Sequence, residues 1–128
     1  RIIKTAEFID DLHERGTNLS EPPTSEQLSV LFRSNVCWID RWHTCAFDAD
    51  RRCDYLKELI EKYDLAKGLN QHNSIISISA SPKHPLQPQE LETLQRLLYR
   101  SVSEPQFCLK ADDALEDDLR IDFAFYSM

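Results

Sequence analysis

The chain of 128 residues and 14.9 kDa is 41 % hydrophobic and 29 % charged. That is an ordinary globular mixture, which excludes collagen-like, largely disordered and membrane-spanning chains; the longest uncharged run, Gly68 to Pro82, is too polar to cross a bilayer. The formal charge is −7, from 15 basic and 22 acidic groups, which argues against sequence-independent nucleic-acid binding, and 2 glycines are too few for a Gly-rich phosphate loop.

In chain order, Ile2, Ile3, Ala6, Ile9 and Leu12 fall at helical spacing, with Lys4, Glu7, Asp10, Asp11 and Glu14 on the other face. This is an amphipathic helix, and Gly16 stands where a left-handed C-cap needs glycine. Thr17 to Pro23 is a connector. Thr24-Ser25-Glu26-Gln27 then reads as a capping box. The apolar positions Leu28, Leu31, Phe32, Val36, Ile39 and Trp42 continue at steps of three or four, predicting one helix from about Ser25 to Ala46. A competing reading ends it near Ser34 and makes Val36 to Phe47 a strand. Strict alternation fails at Cys37, Trp38 and Ile39, so the helix is preferred. A third helix carries Cys53, Leu56, Leu59, Ile60 and Tyr63 on its apolar stripe; Asp48 or Asp50 caps it, and Lys67 and Gly68 mark its end.

The second half changes character. Ser74 to Ser81 alternates as Ile76, Ile78 and Ala80 against Ser77, Ser79 and Ser81, the pattern of a half-buried strand. Pro82, Pro85 and Pro88 stiffen the following loop, and Pro88 suits the first position of a helix with Leu91, Leu94, Leu97 and Leu98 on one face. Gln106 to Ala111 and Leu119 to Tyr126 read as two further strands. The acidic linker Asp112 to Asp118 is too long for a tight hairpin.

These elements predict an α+β fold: an N-terminal bundle of about three helices packed with a small mixed sheet of about three strands and one further helix. The strand from Ser74, the helix from Pro88 and the strand from Gln106 form a βαβ crossover, the last strand pairs antiparallel with its neighbour, and one sheet face is covered. The chain is read as a single domain, residues 1–128, with a helical half (1–68) and a strand-helix-strand-strand half (74–128). It begins at Arg1 with no recognisable leader, as expected of a fragment of a larger protein. Its four cysteines are too sparse for a disulfide scaffold, which points to free thiols and an intracellular setting, in cytoplasm or nucleus.

Several residue groups could carry chemistry. Cys37, His43, Cys45 and Cys53 are zinc-ligand types, but the C-x5-H-x-C-x7-C spacing lacks the close pairs of zinc fingers, and burial as small apolar residues competes. Cys45 or Cys53 with His43 would make a nucleophile pair only if Arg51 and Arg52 lowered the thiol pKa. Lys83 and His84 lie beside a helix start that favours anions. Asp112, Asp113, Glu116, Asp117 and Asp118 form either a solvated loop or a docking site for a basic partner. Trp38 and Trp42 are partner-anchor types, with core packing as the alternative.

The charge is segregated. Residues 1–66 carry 9 basic and 13 acidic groups, residues 67–103 carry 4 and 2, and residues 104–128 carry 2 and 7. The expected function is a non-catalytic protein–protein interaction or assembly domain of an intracellular protein. It would use Trp38 and Trp42 as an aromatic anchor and the acidic loop against a basic partner, with no cofactor. The alternatives are a small-ligand or enzymatic domain using Lys83 and His84, and a zinc-stabilised module.

Overall fold

The computed structural model describes residues 4–33, 35–44, 51–63, 73–101 and 105–127, and among these not the side chains of 35–38, 63, 99–101, 105 and 127. The elements are α1 (Thr5–Glu14), β1 (Thr17–Asn18), α2 (Ser25–Arg33), β2 (Asn35–His43), α3 (Arg52–Tyr63), β3 (Asn73–Ala80), α4 (Pro88–Ser101), β4 (Pro105–Ala111) and β5 (Leu119–Ser127), with a 3-10 turn at Asp113–Leu115. Among the described residues the fold is mixed α/β: four helices and one mixed five-stranded sheet in the order β1-β4-β3-β5-β2. The predicted crossover is present, since β3 and β4 are parallel and α4 connects them.

Local signals placed several boundaries correctly. Thr24 N–H donates to Gln27 Oε1 at 2.8 Å and Gln27 N–H to Thr24 Oγ1 at 3.1 Å, so the capping box starts α2. Pro88 opens α4. Gly16 follows α1 with φ +71°, and a Cβ there would meet the Ala111 carbonyl oxygen at 2.4 Å. Glycine is therefore required twice over, by backbone angle and by the approach of β4.

The N-terminal half departs from the three-helix bundle. The helix predicted to run to about Ala46 stops at Arg33, and Asn35–His43 is an edge strand antiparallel to β5. The run Cys37-Trp38-Ile39, which breaks alternation, coincides with a register shift between Val36 and Trp38. A bulge adds one residue to the strand and so disguises its period. The segment read as a connector also supplies a short strand, β1, paired antiparallel with β4, so the expected three strands become five among the described residues.

The helices also separate. Phe8 and Leu12 of α1 and Leu28 and Leu31 of α2 pack with Ile39, Ile75, Cys108 and Ala124 on one sheet face. Leu56 and Ile60 of α3 and Leu94 and Leu98 of α4 pack with Trp42, Ile76, Ile78, Leu119, Ile121, Phe123 and Phe125 on the other. Both faces are covered, not one. The last strand does not form a hairpin with β4: β5 lies on the far side of β3, between β3 and β2. The alternation misleads because Ser77 and Ser79, which resemble a solvent face, are buried beneath α1 and α2 beside charged neighbours.

Those neighbours form a connected charge layer. Arg41 on β2 donates from Nε to Asp122 Oδ1 on β5 at 2.6 Å and pairs with Asp11 and Glu7 of α1. Arg120 lies 3.3 Å from Asp122 and 2.9 Å from Asp112, and donates to Ser79 Oγ at 3.3 Å. Lys110 Nζ donates to the Asp11 and Leu12 carbonyls at 2.6 and 2.8 Å, capping the C-terminal end of α1. Burial, and then the Arg120 charge, lower the Lys110 pKa.

Trp42 is 7 % exposed and meets Phe123 edge-on, with centroids 5.0 Å apart at 79°. Trp42→Ala should cost about 3–5 kcal/mol of stability, measured by urea unfolding, because it empties a packed site at the sheet.

Candidate functional site

One end of the sheet collects the loops that carry candidate chemistry. β3 ends at Ala80, β4 at Ala111 and β2 at His43, while β5 begins at Leu119. In open α/β sheets ligands gather at the carboxyl ends of parallel strands. Here that end holds the loop from Ser81 to Gln87 and the acidic loop from Asp112 to Asp118.

Arg52, at the first position of α3, pins these loops together. It is 1 % exposed. Its Nε and Nη2 donate to both oxygens of Glu90 on α4 at 2.9 Å, Nη1 to the His84 carbonyl at 2.7 Å, and Nη2 to the Pro85 carbonyl at 2.9 Å. Nη1 also reaches the Asp117 carbonyl at 3.5 Å. This fork satisfies its donors inside the chain and holds α3, α4 and both loops in one geometry. Sequence reasoning gave Arg52 no such role. A cation in the first turn of a helix opposes the helix dipole, and that was the available signal of a compensating partner.

The five acidic residues separate in space and in role. Asp112 is buried, 2.9 Å from Arg120 and 3.2 Å from Arg15, and accepts from Ala114 N–H at 3.0 Å. Burial by itself would raise its pKa, but the Ala114 N–H, Arg120 and Arg15 outweigh that and hold it below the ordinary carboxylate value. Asp117 lies 2.8 Å from His84 Nε2. Asp118 accepts from Thr44 Oγ1 at 3.0 Å and lies 3.5 Å from His43 Nε2. Asp113 and Glu116 are exposed and make no ion pair among the described residues. The loop is thus anchored at three carboxylates and presents two.

Glu116 has φ 53° and ψ −113°, and Asp118 N–H donates to the Leu115 carbonyl at 2.9 Å. These define a type II′ turn with Glu where glycine is preferred.

Two depressions flank the Ser81–Gln87 loop. One is a polar cleft of about 380 Å³ lined by Lys83, His84, Gln87, Gln89 and the Arg52–Glu90 pair. The other is an apolar groove of about 470 Å³. Its floor is Ile78 and Ala80 of β3 with Leu109 and Ala111 of β4, and its walls include Leu86, Leu91 and three prolines, Pro82, Pro85 and Pro88. Leu19, 63 % exposed, stands at its rim. Sequence reasoning missed this groove, since it joins residues from distant parts of the chain.

The remaining candidates are dispersed. Trp42 belongs to the core and presents no exposed ring to a partner; the Trp38 side chain lies outside the described residues. Cys53 and Cys108 carry free thiols. Burial and then Glu90 push the Cys53 thiol up, the opposite of an activated nucleophile, and burial pushes Cys108 up to about 11. Cys45 and the Cys37 side chain lie outside the described residues. Asp48, Asp50, Lys67 and Gly68, the expected ends of the third helix, do so too. Among the described residues no three His, Cys, Asp or Glu side chains come together to hold a metal, and no helix is long and apolar enough to cross a membrane.

No family model matches the chain, and no curated protein matches it. A solved structure described as the empty FtsZ dimer of M. jannaschii is similar, at 11 % identity and a TM-score of 0.66. The match covers 96 % of this chain and 36 % of that one, so this chain spans about a third of the FtsZ chain. At this identity the likeness shows the fold alone.

Two tests follow from the acidic loop. Glu116→Gly should stabilise the protein by about 1 kcal/mol in urea unfolding, by relieving the turn. Because the folded pKa of Asp112 is depressed, its stabilisation is present above the unfolded value near pH ~4 and is lost as pH falls through the folded value. Asp112→Asn should therefore cost about 3 kcal/mol at neutral pH and flatten the acid limb of a circular-dichroism pH titration.

Proposed function

We propose that this chain is a non-catalytic protein–protein interaction and assembly domain of an intracellular protein, with the acidic loop facing a basic partner. The observation that carries the reading is the way the loop is held. Three of its carboxylates are consumed in anchoring, at Arg120 and Arg15, at His84, and at Thr44 and His43. Asp113 and Glu116 remain exposed on a loop already fixed before any partner arrives. Preorganisation of this kind lowers the ordering cost of association, and rim charges chiefly raise the on-rate.

Other observations agree with it. The neighbour of like fold is described as a dimer, and this chain spans about a third of the FtsZ chain. Free thiols at Cys53 and Cys108 suit a reducing compartment. The polar cleft gives less support to a ligand reading, because the donors of Arg52 are already engaged by Glu90 and the loop carbonyls. Trp42 is interior, which leaves Trp38, a residue of the edge strand β2, as the aromatic anchor of this reading.

Affinity capture on the immobilised domain, followed by titration of each retained protein at low and high salt, tests this. The expected partner has a basic surface and an affinity that falls with salt. It binds the Asp113→Asn/Glu116→Gln variant several-fold more weakly, mainly through on-rate, and binding is lost in Trp38→Ala while the melting temperature holds. Affinity indifferent to salt and to both variants would overturn the reading.

A further inference from the structure

We infer that the acidic loop has one permanent anchor and one proton-dependent anchor, so that pH near neutrality sets the grip on its C-terminal end and the charge it displays. At its start, Asp112 lies 2.9 Å from Arg120 and 3.2 Å from Arg15. A guanidinium stays charged across the working pH range, so this anchor does not respond to protons. At its end the partners are histidines. His84, in the loop after β3, places Nε2 2.8 Å from Asp117. His43, the last residue of β2, places Nε2 3.5 Å from the adjacent Asp118. Histidine ordinarily gains its proton near pH ~6.5, and both contacts become ion pairs once it has done so. A neutral imidazole retains at most a hydrogen bond at 2.8 Å and gives Asp118 little at 3.5 Å.

The surroundings leave these two histidines as the responsive groups. Beside His84 stand Arg52, which donates to its carbonyl and is paired with Glu90, and Lys83, which lines the same cleft. Beside His43, its register partner Arg120 is committed to Asp112, Asp122 and Ser79, and Arg41 on the same strand to Asp122, Asp11 and Glu7. Of these residue types only histidine ordinarily changes charge between about pH 5 and pH 8. Both imidazoles are half exposed, so protons reach them without opening the fold. Other contacts limit the response. Thr44 Oγ1 donates to Asp118 at 3.0 Å, Asp118 N–H donates to the Leu115 carbonyl at 2.9 Å, and Arg52 reaches the Asp117 carbonyl at 3.5 Å. Deprotonation therefore loosens Asp117 and Asp118 and leaves their charge uncompensated, but it does not detach the loop. These charges then add to Asp113 and Glu116, so the attraction for a basic partner rises with pH; this consequence rests on the assembly reading.

Backbone relaxation measured by nuclear magnetic resonance on the whole chain, from about pH 5.5 to about pH 8, tests the clamp without any partner. Order at Asp117 and Asp118 should fall as pH rises through the histidine range, and their amide shifts should titrate together with the two rings. Ala114, whose N–H donates to Asp112, should not change. His43→Gln/His84→Gln should hold Asp117 and Asp118 in the looser form at every pH. It should melt with wild type at the upper pH, which shows that it folds, and below wild type at the lower pH, where the wild type alone carries the two ion pairs. The single variant His84→Gln should abolish the response at Asp117 and keep that at Asp118. Order at Asp117 and Asp118 that is constant with pH, a response that persists in the double variant, or an equal response at Ala114 would each overturn the inference. The salt titration of captured partners is read at one pH, so its failure removes the assembly reading and leaves the clamp standing.

Discussion

The fold depends on a charge layer between the sheet and α1, buried at Arg41, Asp122 and Arg120 and open to solvent at Glu7 and Arg15. Asp11 and Glu7, Arg41, Asp122, Arg120, Asp112 and Arg15 follow one another as alternating partners, each in contact with the next. The series joins the first helix, the edge strand, the last strand and the acidic loop, with up to 97 residues between partners. Buried ion pairs add little net stability, because desolvation offsets attraction. Breaking one leaves a charge stranded, and that cost disfavours other arrangements. The layer acts mainly by excluding alternatives: shifting β2 or β5 by one residue would turn Arg41, Arg120 and Asp122 toward the opposite, apolar face.

The layer also shapes the end of the sheet that holds the acidic loop. Asp112 is both its last carboxylate and the first residue of the acidic loop, so loop and core share an anchor. Arg52 does the same work on the other face, tying α3 and α4 to the two loops through Glu90 and backbone carbonyls. Between these two arginine-centred clusters the loops have little freedom. A fixed surface associates at lower entropic cost than one ordered on contact, which is the support this rigidity lends to the proposed binding reading. The turn strain at Glu116 fits this picture, because an unfavourable φ persists where the surroundings hold the chain in place.

Much of the local structure was legible in the residues. The capping box at Thr24, the proline that opens α4, the glycine after α1 and the β3-α4-β4 crossover each rest on interactions within a few residues or on one periodic face. β2 was misread because its bulge near Cys37 broke the period on which strand recognition relies. Ser77 and Ser79 were misread as a wet face because a serine carries the same signal whether it meets water or is buried, as Ser79 is against Arg120. Of the candidate site, the acidic loop was visible as composition. Its division into three anchors and two exposed carboxylates was not, since the anchors' partners are arginines, histidines and a threonine from four separate segments.

By itself the sequence determined the fold class, most helices and strands, and the acidic character of the surface, because propensity, capping and charge act over short distances along the chain. Tertiary structure alone decided the strand order, the covering of both sheet faces, the burial of Trp42 and the existence of the apolar groove. Each of these is a pairing between distant segments, set by burial and charge neutralisation acting together, and no local pattern encodes it.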